Sequence, residues 1–286
     1  MTIQQALNQA TRILLCTSAS ARLDAEVLLC FVIKKEKEYL YTYPEVKLSP
    51  TQITKFNSLI AKRAKGIPVA YLVGHKEFFK LDFIVNRHVL VPRPDSELLV
   101  SHVLAVCKGR RHTSLQITEI GTGSGAVAIS IAKNLPQAKV TACDISAAAL
   151  KVAARNAKKH QVNIEFHRGD LLTPVKNKKS DIMVANLPYL ALTDKKQFST
   201  ELNYEPRVAL YSGIDGLDHY RRFFEQAGRL RYQPKYILIE HGHHQEIELK
   251  KIIRQHLQTK KISFKKDLCG RNRMILVELH ESNNNN

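Results

Sequence analysis

Glu119-Ile-Gly-Thr-Gly-Ser-Gly125 is the stretch that decides how this chain folds. It joins a short apolar run, residues 115–120, which reads as a strand, to residues 125–133, which read as a helix. Gly121, Gly123 and Gly125 permit a tight turn with close backbone approach, and the amides at the helix start offer a site for an anionic group. Outward from this turn, residues 139–144 read as a strand, 146–160 as a helix, 164–168 as a strand and 181–186 as another. A helix from Asp218, a strand at 236–240, a helix from Gln245 and closing strands at 262–264 and 274–279 follow. Strands alternating with helices in this way predict an α/β fold, a parallel sheet with helices on both faces.

Asp144 ends the strand after the glycine-rich turn, where its carboxylate can accept both hydroxyls of a ribose. A nicotinamide dinucleotide site shares that logic. Three features favour S-adenosylmethionine instead: the spacing is GxGxG rather than GxGxxG, Glu119 precedes the turn, and Gly169-Asp170-Leu171 follows the third strand, where an adenine would lie. The expected cofactor-binding residues are Gly121, Thr122, Gly123, Ser124, Gly125, Asp144, Asp170, Leu171 and Asn186.

Asn186 belongs to Asp181-Ile-Met-Val-Ala-Asn-Leu-Pro-Tyr189. Residues 182–185 read as a strand buried on both faces, which delivers Asn186 to the carboxyl end of the sheet, where open α/β sheets hold their ligands. Pro188 cannot continue a central strand, and it biases Leu187 toward an extended conformation. The Asn186 amide, the Leu187 carbonyl and the Tyr189 ring suit a planar NH2 substrate: oxygens accept its two hydrogens while a ring packs on its flat face. An amide nitrogen has a delocalised lone pair, so the sulfonium donor supplies the driving force and the protein supplies alignment. An adenine amino group poses the same problem. This motif alone does not separate a protein substrate from a nucleic acid.

The chain has 286 residues, 44% of them hydrophobic, enough for a substantial core. Its net charge of +18, spread over Lys34-Lys35-Lys37, Lys62-Arg63-Lys65, 108–111, 176–179 and 250–273, favours a polyanionic partner, nucleic acid or something bound to it. Those basic residues are scattered and not interleaved with aromatics, as a base-stacking platform would require. Cys16, Cys30, Cys107, Cys143 and Cys269 include no Cys-x-x-Cys pair and read as small buried residues in a reducing compartment. No signal peptide and no apolar run of about 20 residues is present, which implies a cytoplasmic protein. His241, His243 and His244 read as a polar loop and not a metal site, because no fourth ligand accompanies them.

The first part of the chain reads as helical. Ile3, Ala6, Leu7, Ala10, Ile13 and Leu14 recur behind a Thr2 cap; Leu23, Val27, Leu28, Phe31 and Val32 recur behind Ser20; Ile53, Phe56, Leu59 and Ile60 recur behind Ser49-Pro50. Short β-type runs at 78–79, 83–85 and 89–91 then read as a hairpin-like connector, closed by Pro92-Arg93-Pro94. Asp95 or Ser96 caps a helix over residues 97–107.

In these and further motifs the chain resembles the peptide chain release factor glutamine methyltransferases over nearly its whole length. The resemblance rests on Arg22-Leu-Asp-Ala-Glu-Val-Leu-Leu29, Gly66-Ile-Pro-Val-Ala-Tyr-Leu-Val-Gly74, Val91-Pro-Arg-Pro-Asp-Ser-Glu97 and the glycine-rich turn. Tyr204-Glu-Pro-Arg-Val-Ala-Leu210, Gly213-Ile-Asp-Gly216 and Asp267-Leu-Cys-Gly-Arg-Asn-Arg273 fit in order. It implies a Rossmann-like domain of seven strands, the last antiparallel, at 96–282, a helical substrate-recognition domain at 1–75, a connector at 76–95 and a disordered tail at 283–286. It also implies a monomer, off membranes and without a stable nucleic-acid complex, that methylates the Gly-Gly-Gln glutamine of class I release factors, with Asn186, Pro188 and Tyr189 at the reacting centre. One departure is Asn186-Leu187-Pro188-Tyr189 where the family has Asn-Pro-Pro-Tyr. The Leu form is that of ribosomal RNA adenine dimethyltransferases, which makes N6-adenine methylation of RNA the rival activity and a catalytically silent binding protein the third reading. Against the RNA enzymes, 118 residues precede Glu119 here and match the glutamine family.

Overall fold

The computed structural model describes residues 1–108, 115–197, 200–267 and 269–280. The expected tail at 283–286 and most of the basic run at 108–111 lie outside them. The chain divides into two compact units, one of Met1–His75 joined by the 3-10 turn Thr200–Tyr204, the other running from Lys76 onward without that turn.

The first unit contains helices α1 (Ile3–Leu14), α2 (Ala21–Ile33), α3 (Lys37–Thr42), α4 (Pro50–Ala64) and α5 (Val69–Val73). Thr2 with Gln5, and Ser49 with Gln52, form reciprocal capping boxes that satisfy the first amides of α1 and α4. Ser20 does not cap α2; its hydroxyl donates to Asp24 Oδ1 at 3.0 Å. The inward face of α2 also differs from expectation. Leu23 and Val27 are exposed, as is Ile13 on α1, while Ala21, Ala25, Leu28, Leu29 and Val32 are buried. This helix is apolar almost all round, so spacing alone could not choose its face, and the small Ala21 and Ala25 allow close helix approach. Arg63 of α4 is 2% exposed and ion-paired. Its Nε donates to Asp24 Oδ2 at 2.7 Å, its Nη2 pairs with Glu201, and Tyr204 donates to the Lys65 carbonyl at 2.8 Å. These bonds tie Thr200–Tyr204 to the helices.

A hairpin of β1 (His75–Phe78) and β2 (Leu81–Ile84), in the second unit from Lys76 onward, precedes α6 (Glu97–Cys107). Residues 89–91 form no strand; Val89 and Val91 are buried by packing instead. There follow β3 (Gln116–Ile120), α7 (Ala126–Asn134), β4 (Lys139–Asp144), α8 (Ala147–His160), β5 (Ile164–Arg168) and β6 (Ile182–Ala185). The chain continues as α9 (Asp218–Gly228), β7 (Tyr236–Glu240), α10 (Glu246–His256), β8 (Thr259–Lys266) and β9 (Asn272–Leu279). The seven-stranded sheet has the order β5-β4-β3-β6-β7-β9-β8. β3, β4, β5, β6 and β7 run parallel, and β9 is antiparallel to both its neighbours.

The pleat sends alternate residues of β6 to opposite cores. Ile182 and Val184 pack with α6 and α7, whereas Met183 and Ala185 pack with Tyr220, Phe223 and Phe224 of α9 and Leu249 of α10. A strand with all four residues buried is thereby explained. Strand order reverses direction between β3 and β6, the position at which doubly wound sheets open a crevice at their carboxyl ends. Cys107 and Cys143 are buried as expected, but Cys16 and Cys269 are exposed. Among the described residues no helix is long and apolar enough to cross a membrane.

Candidate active site

The register Ile120↔Ala185 brings the turn after β3 against the residues after β6. At Gly121 φ is +76°, which glycine adopts without strain, and the residue lies beside the Asn186 carbonyl. One cavity opens at this point. It is lined by Gly121, Thr122, Gly123, Ser124, Asp144, Asp170, Leu171, Asn186, Leu187 and Pro188, all singled out from the sequence. Gly125 and Tyr189 do not line it. Gly125 is packed under the turn, where an added Cβ would strike Ile129 Cδ1 at 2.8 Å.

Four amides of the turn are bonded within the protein. Gly121 and Thr122 donate to the Cys143 carbonyl at 2.8 and 2.9 Å, Gly125 donates to the Thr122 carbonyl at 2.8 Å, and Gly123 donates to Asp144 Oδ2 at 2.8 Å. Ala128, in the first turn of α7, donates to Glu119 Oε2 at 3.0 Å. These five N–H groups are engaged within the protein, while Ser124, Ala126 and Val127 at the helix start line the cavity.

Glu119 is buried in the cavity wall and also accepts the Thr122 hydroxyl at 2.5 Å. Burial outweighs these bonds and pushes its pKa from 4.5 up to about 8. The folded protein therefore holds the proton where the unfolded chain has lost it: stability present below pH 4.5 is lost as pH rises through about 8. Glu119→Gln should flatten that decline by roughly 3–5 kcal/mol, at about 1.4 kcal/mol per unit of displacement. Urea denaturation at pH 5 and pH 9 would check it, and parallel declines in variant and wild type would refute it.

Asp144 accepts from Gly123 through one oxygen and from Ser146 N–H through the other, both at 2.8 Å, and burial raises its pKa. Its carboxylate is thus fixed in the cavity wall by backbone donors. Asp170 ion-pairs with Arg222 of α9, and Leu171 adopts a φ of +47°, a costly conformation for a branched residue that turns the chain sharply after β5.

Asn186 donates through Nδ2 to Ser96 Oγ at 2.8 Å. Leu187 is 2% exposed in the core cluster beneath the site. Where the family proline fixes φ, this leucine holds the turn by burial. Leu187→Ala should cost about 2–5 kcal/mol of stability. A loss under about 1 kcal/mol in urea denaturation would show that the turn is held otherwise. Tyr189 packs against the same core. Its hydroxyl lies 3.3 Å from Glu240 Oε1, and its carbonyl accepts from Gln245 Nε2 at 3.0 Å. Burial raises its pKa well above the ordinary tyrosine value.

Sequence reasoning missed several groups around the cavity. Ser96, expected as a helix cap, instead donates to Glu240 Oε2 at 2.6 Å. Arg93 lines the cavity and pairs with buried Glu205, which also takes the Val91 N–H at 3.0 Å. Pro-Arg-Pro and Tyr-Glu-Pro-Arg, legible separately as motifs, meet through these bonds. His219 and Arg222 of α9 complete the wall. Among the described residues no group of His, Cys, Asp and Glu could hold a metal ion.

The sheet order, the glycine-rich turn and the acid ending the next strand define a Rossmann-like methyltransferase. The family description "Methyltransferase small domain" matches residues 94–208, and "PrmC N-terminal domain" matches residues 5–74. A release factor glutamine methyltransferase of Coxiella burnetii is 36% identical over 97% of this chain and 99% of its own length. One of Moorella thermoacetica is 38% identical over 98% and 100%. The chain belongs to the release factor glutamine methyltransferase family. Among solved structures, the hMettl16 catalytic domain in complex with an RNA hairpin shares the fold, with a TM-score of 0.59 and 12% identity over 89% of this chain and 92% of that one.

Proposed function

We propose that the protein transfers a methyl group from S-adenosylmethionine to the side-chain amide nitrogen of the Gly-Gly-Gln glutamine in class I peptide chain release factors. The observation that carries this reading is the placing of Asn186-Leu187-Pro188 on the same cavity as the glycine-rich turn and Asp144. The cavity fits such a donor. Its turn uses the amides of Gly121, Thr122, Gly123 and Gly125 within the protein, and Glu119 lies in its wall as a hydrogen-bonding group for a polar donor. Asp144 and Asp170 line the same cavity and in this reading take the ribose and the base, with Thr122, Ser124 and Leu171 as neighbouring wall.

The donor, when bound, supplies an electrophilic methyl. The protein's own task is alignment, since a delocalised amide lone pair gains little from a side-chain base. Asn186 Oδ1 and the Leu187 carbonyl accept the two N–H groups of the glutamine and turn its nitrogen into the cavity. Pro188 biases Leu187, which carries that carbonyl, toward an extended backbone, and Tyr189 packs on the core beside the turn. Residues 1–75, a separate helical unit without cofactor motifs, are the part proposed to recognise the release factor away from its reacting loop. Labelled methyl donor incubated with a class I factor and, separately, with ribosomal RNA should label only the factor, at its Gly-Gly-Gln glutamine. Label on RNA adenine with the factor untouched would make Leu187 the more telling residue and install the RNA reading.

A further inference from the structure

Beneath the acceptor turn the core contains a short directional chain of hydrogen bonds. Glu240, ending β7, is 2% exposed and Ser96 is 4% exposed. The Ser96 hydroxyl lies 2.6 Å from Glu240 Oε2, and Asn186 Nδ2 lies 2.8 Å from Ser96 Oγ. We propose that Ser96 and Glu240 are positioning residues that fix which end of the Asn186 amide faces the substrate, an inference that rests on the function proposed above.

The two ends of an amide are nearly the same size, so packing does not choose between them; the polarity of the partners does. An ionised Glu240 only accepts. It takes the single hydrogen of Ser96, and on its other oxygen the hydrogen of Tyr189 at 3.3 Å. Ser96, its hydrogen committed, is left to accept, and only the NH2 end of Asn186 can donate to it. Oδ1 is thereby turned away from Ser96, toward the cavity that Asn186 lines. That is the end needed to accept an N–H from a glutamine amide. Without the hydroxyl the amide is free to reverse and would present its NH2 to the substrate NH2, two donors facing each other.

The chain is also reversible. Protonated Glu240 can donate to Ser96, freeing the serine hydrogen for Asn186 Oδ1 and turning the amide over. The groups facing Glu240 are Asp95 and Ser96 before α6, Tyr189 after β6, Arg273 of β9 and Tyr220 of α9, whose hydroxyl donates to the Glu240 carbonyl at 2.8 Å. Desolvation dominates these influences and raises the pKa of Glu240 to about 7, so the polarity of the chain changes near neutrality. Turnover should accordingly rise with pH through that region.

The test compares full-length wild type, Ser96→Ala, Ser96→Thr and Glu240→Gln with S-adenosylmethionine and a class I release factor, measuring kcat and KM from pH 6 to 9. Ser96→Ala should lower kcat by about 10- to 100-fold, the scale of a small misplacement at a reacting centre, with KM for the factor within about threefold. Ser96→Thr, which restores the hydroxyl, should recover most of the loss. Glu240→Gln, whose amide can donate as well as accept, should hold kcat near the low-pH level of the wild type at every pH and lose the rise near pH 7; this arm stands even if Ser96→Ala fails to fold. Ser96→Ala and Ser96→Thr with the same kcat, or a rise near pH 7 that survives Glu240→Gln, would overturn the inference alone. A wild-type protein that leaves the release factor unlabelled would overturn the proposed function and this inference with it.

Discussion

Asn186→Ala should abolish practical methyl transfer while leaving the donor bound. The side chain contributes an acceptor to the glutamine amide and, through Nδ2, a bond to Ser96. Its removal takes away one of the two groups that aim the substrate nitrogen. A preorganised hydrogen bond at a reacting centre is worth about 10²–10³ in turnover, and misplacement by about 1 Å costs a similar factor. A fall in kcat of that order or greater is expected, with the dissociation constant of S-adenosylhomocysteine changed by no more than about threefold. Single-turnover transfer and calorimetry separate the two. Retention of more than about a tenth of wild-type kcat would mean that the Leu187 carbonyl alone aligns the substrate.

Asp144→Ala should instead remove the donor. Each charge-assisted hydrogen bond to a ribose hydroxyl is worth about 1.5–3 kcal/mol, so losing two should weaken binding by about 10²–10⁴-fold. The carboxylate also anchors the backbone from two sides, through Gly123 and Ser146. Asp144→Asn retains one acceptor oxygen but replaces the other with a donor, which faces an N–H. It should therefore fall well short of wild type despite its shape. Titration with S-adenosylmethionine and, as a control, NAD reads the outcome: no response to NAD in any variant and a steep loss for the methyl donor. Tight NAD binding by the wild type would overturn the assignment of the cavity.

Much of the frame was legible because local chemistry agrees with it. Residues 97–107, 139–144, 164–168 and 236–240 form the elements expected of them at the boundaries expected. The face of α2 was not legible, because a helix with apolar residues on most sides carries no phase. Of the site, the groups on consecutive residues were readable: the glycine-rich turn, Asp144 and the Asn186 turn. The groups that hold them were not. Ser96 and Glu240 are 144 residues apart, and nothing in either neighbourhood signals that a buried serine will meet a buried glutamate. Tyr189 was legible as an aromatic beside the acceptor asparagine. Its position off the cavity depends on the Glu240 and Gln245 contacts, which again are distant in sequence.

Thr200–Tyr204 also bears on how the protein is made. Glu201 pairs with Arg63 across 138 residues of sequence, and Tyr204 closes on the Lys65 carbonyl across 139. During synthesis the five helices of the first unit emerge long before that turn, at a rate of about 5–20 residues per second. Arg63 must wait with Asp24 as its only carboxylate partner among these contacts until residue 201 has left the ribosome. The helical unit is thus completed late, after β3, β4, β5 and β6 have already been translated. A nascent chain arrested before residue 200 should expose Arg63 and the adjoining helix ends to protease, and one released past residue 204 should protect them. Thr200–Tyr204 acts as a latch on the amino-terminal helices that translation delivers last.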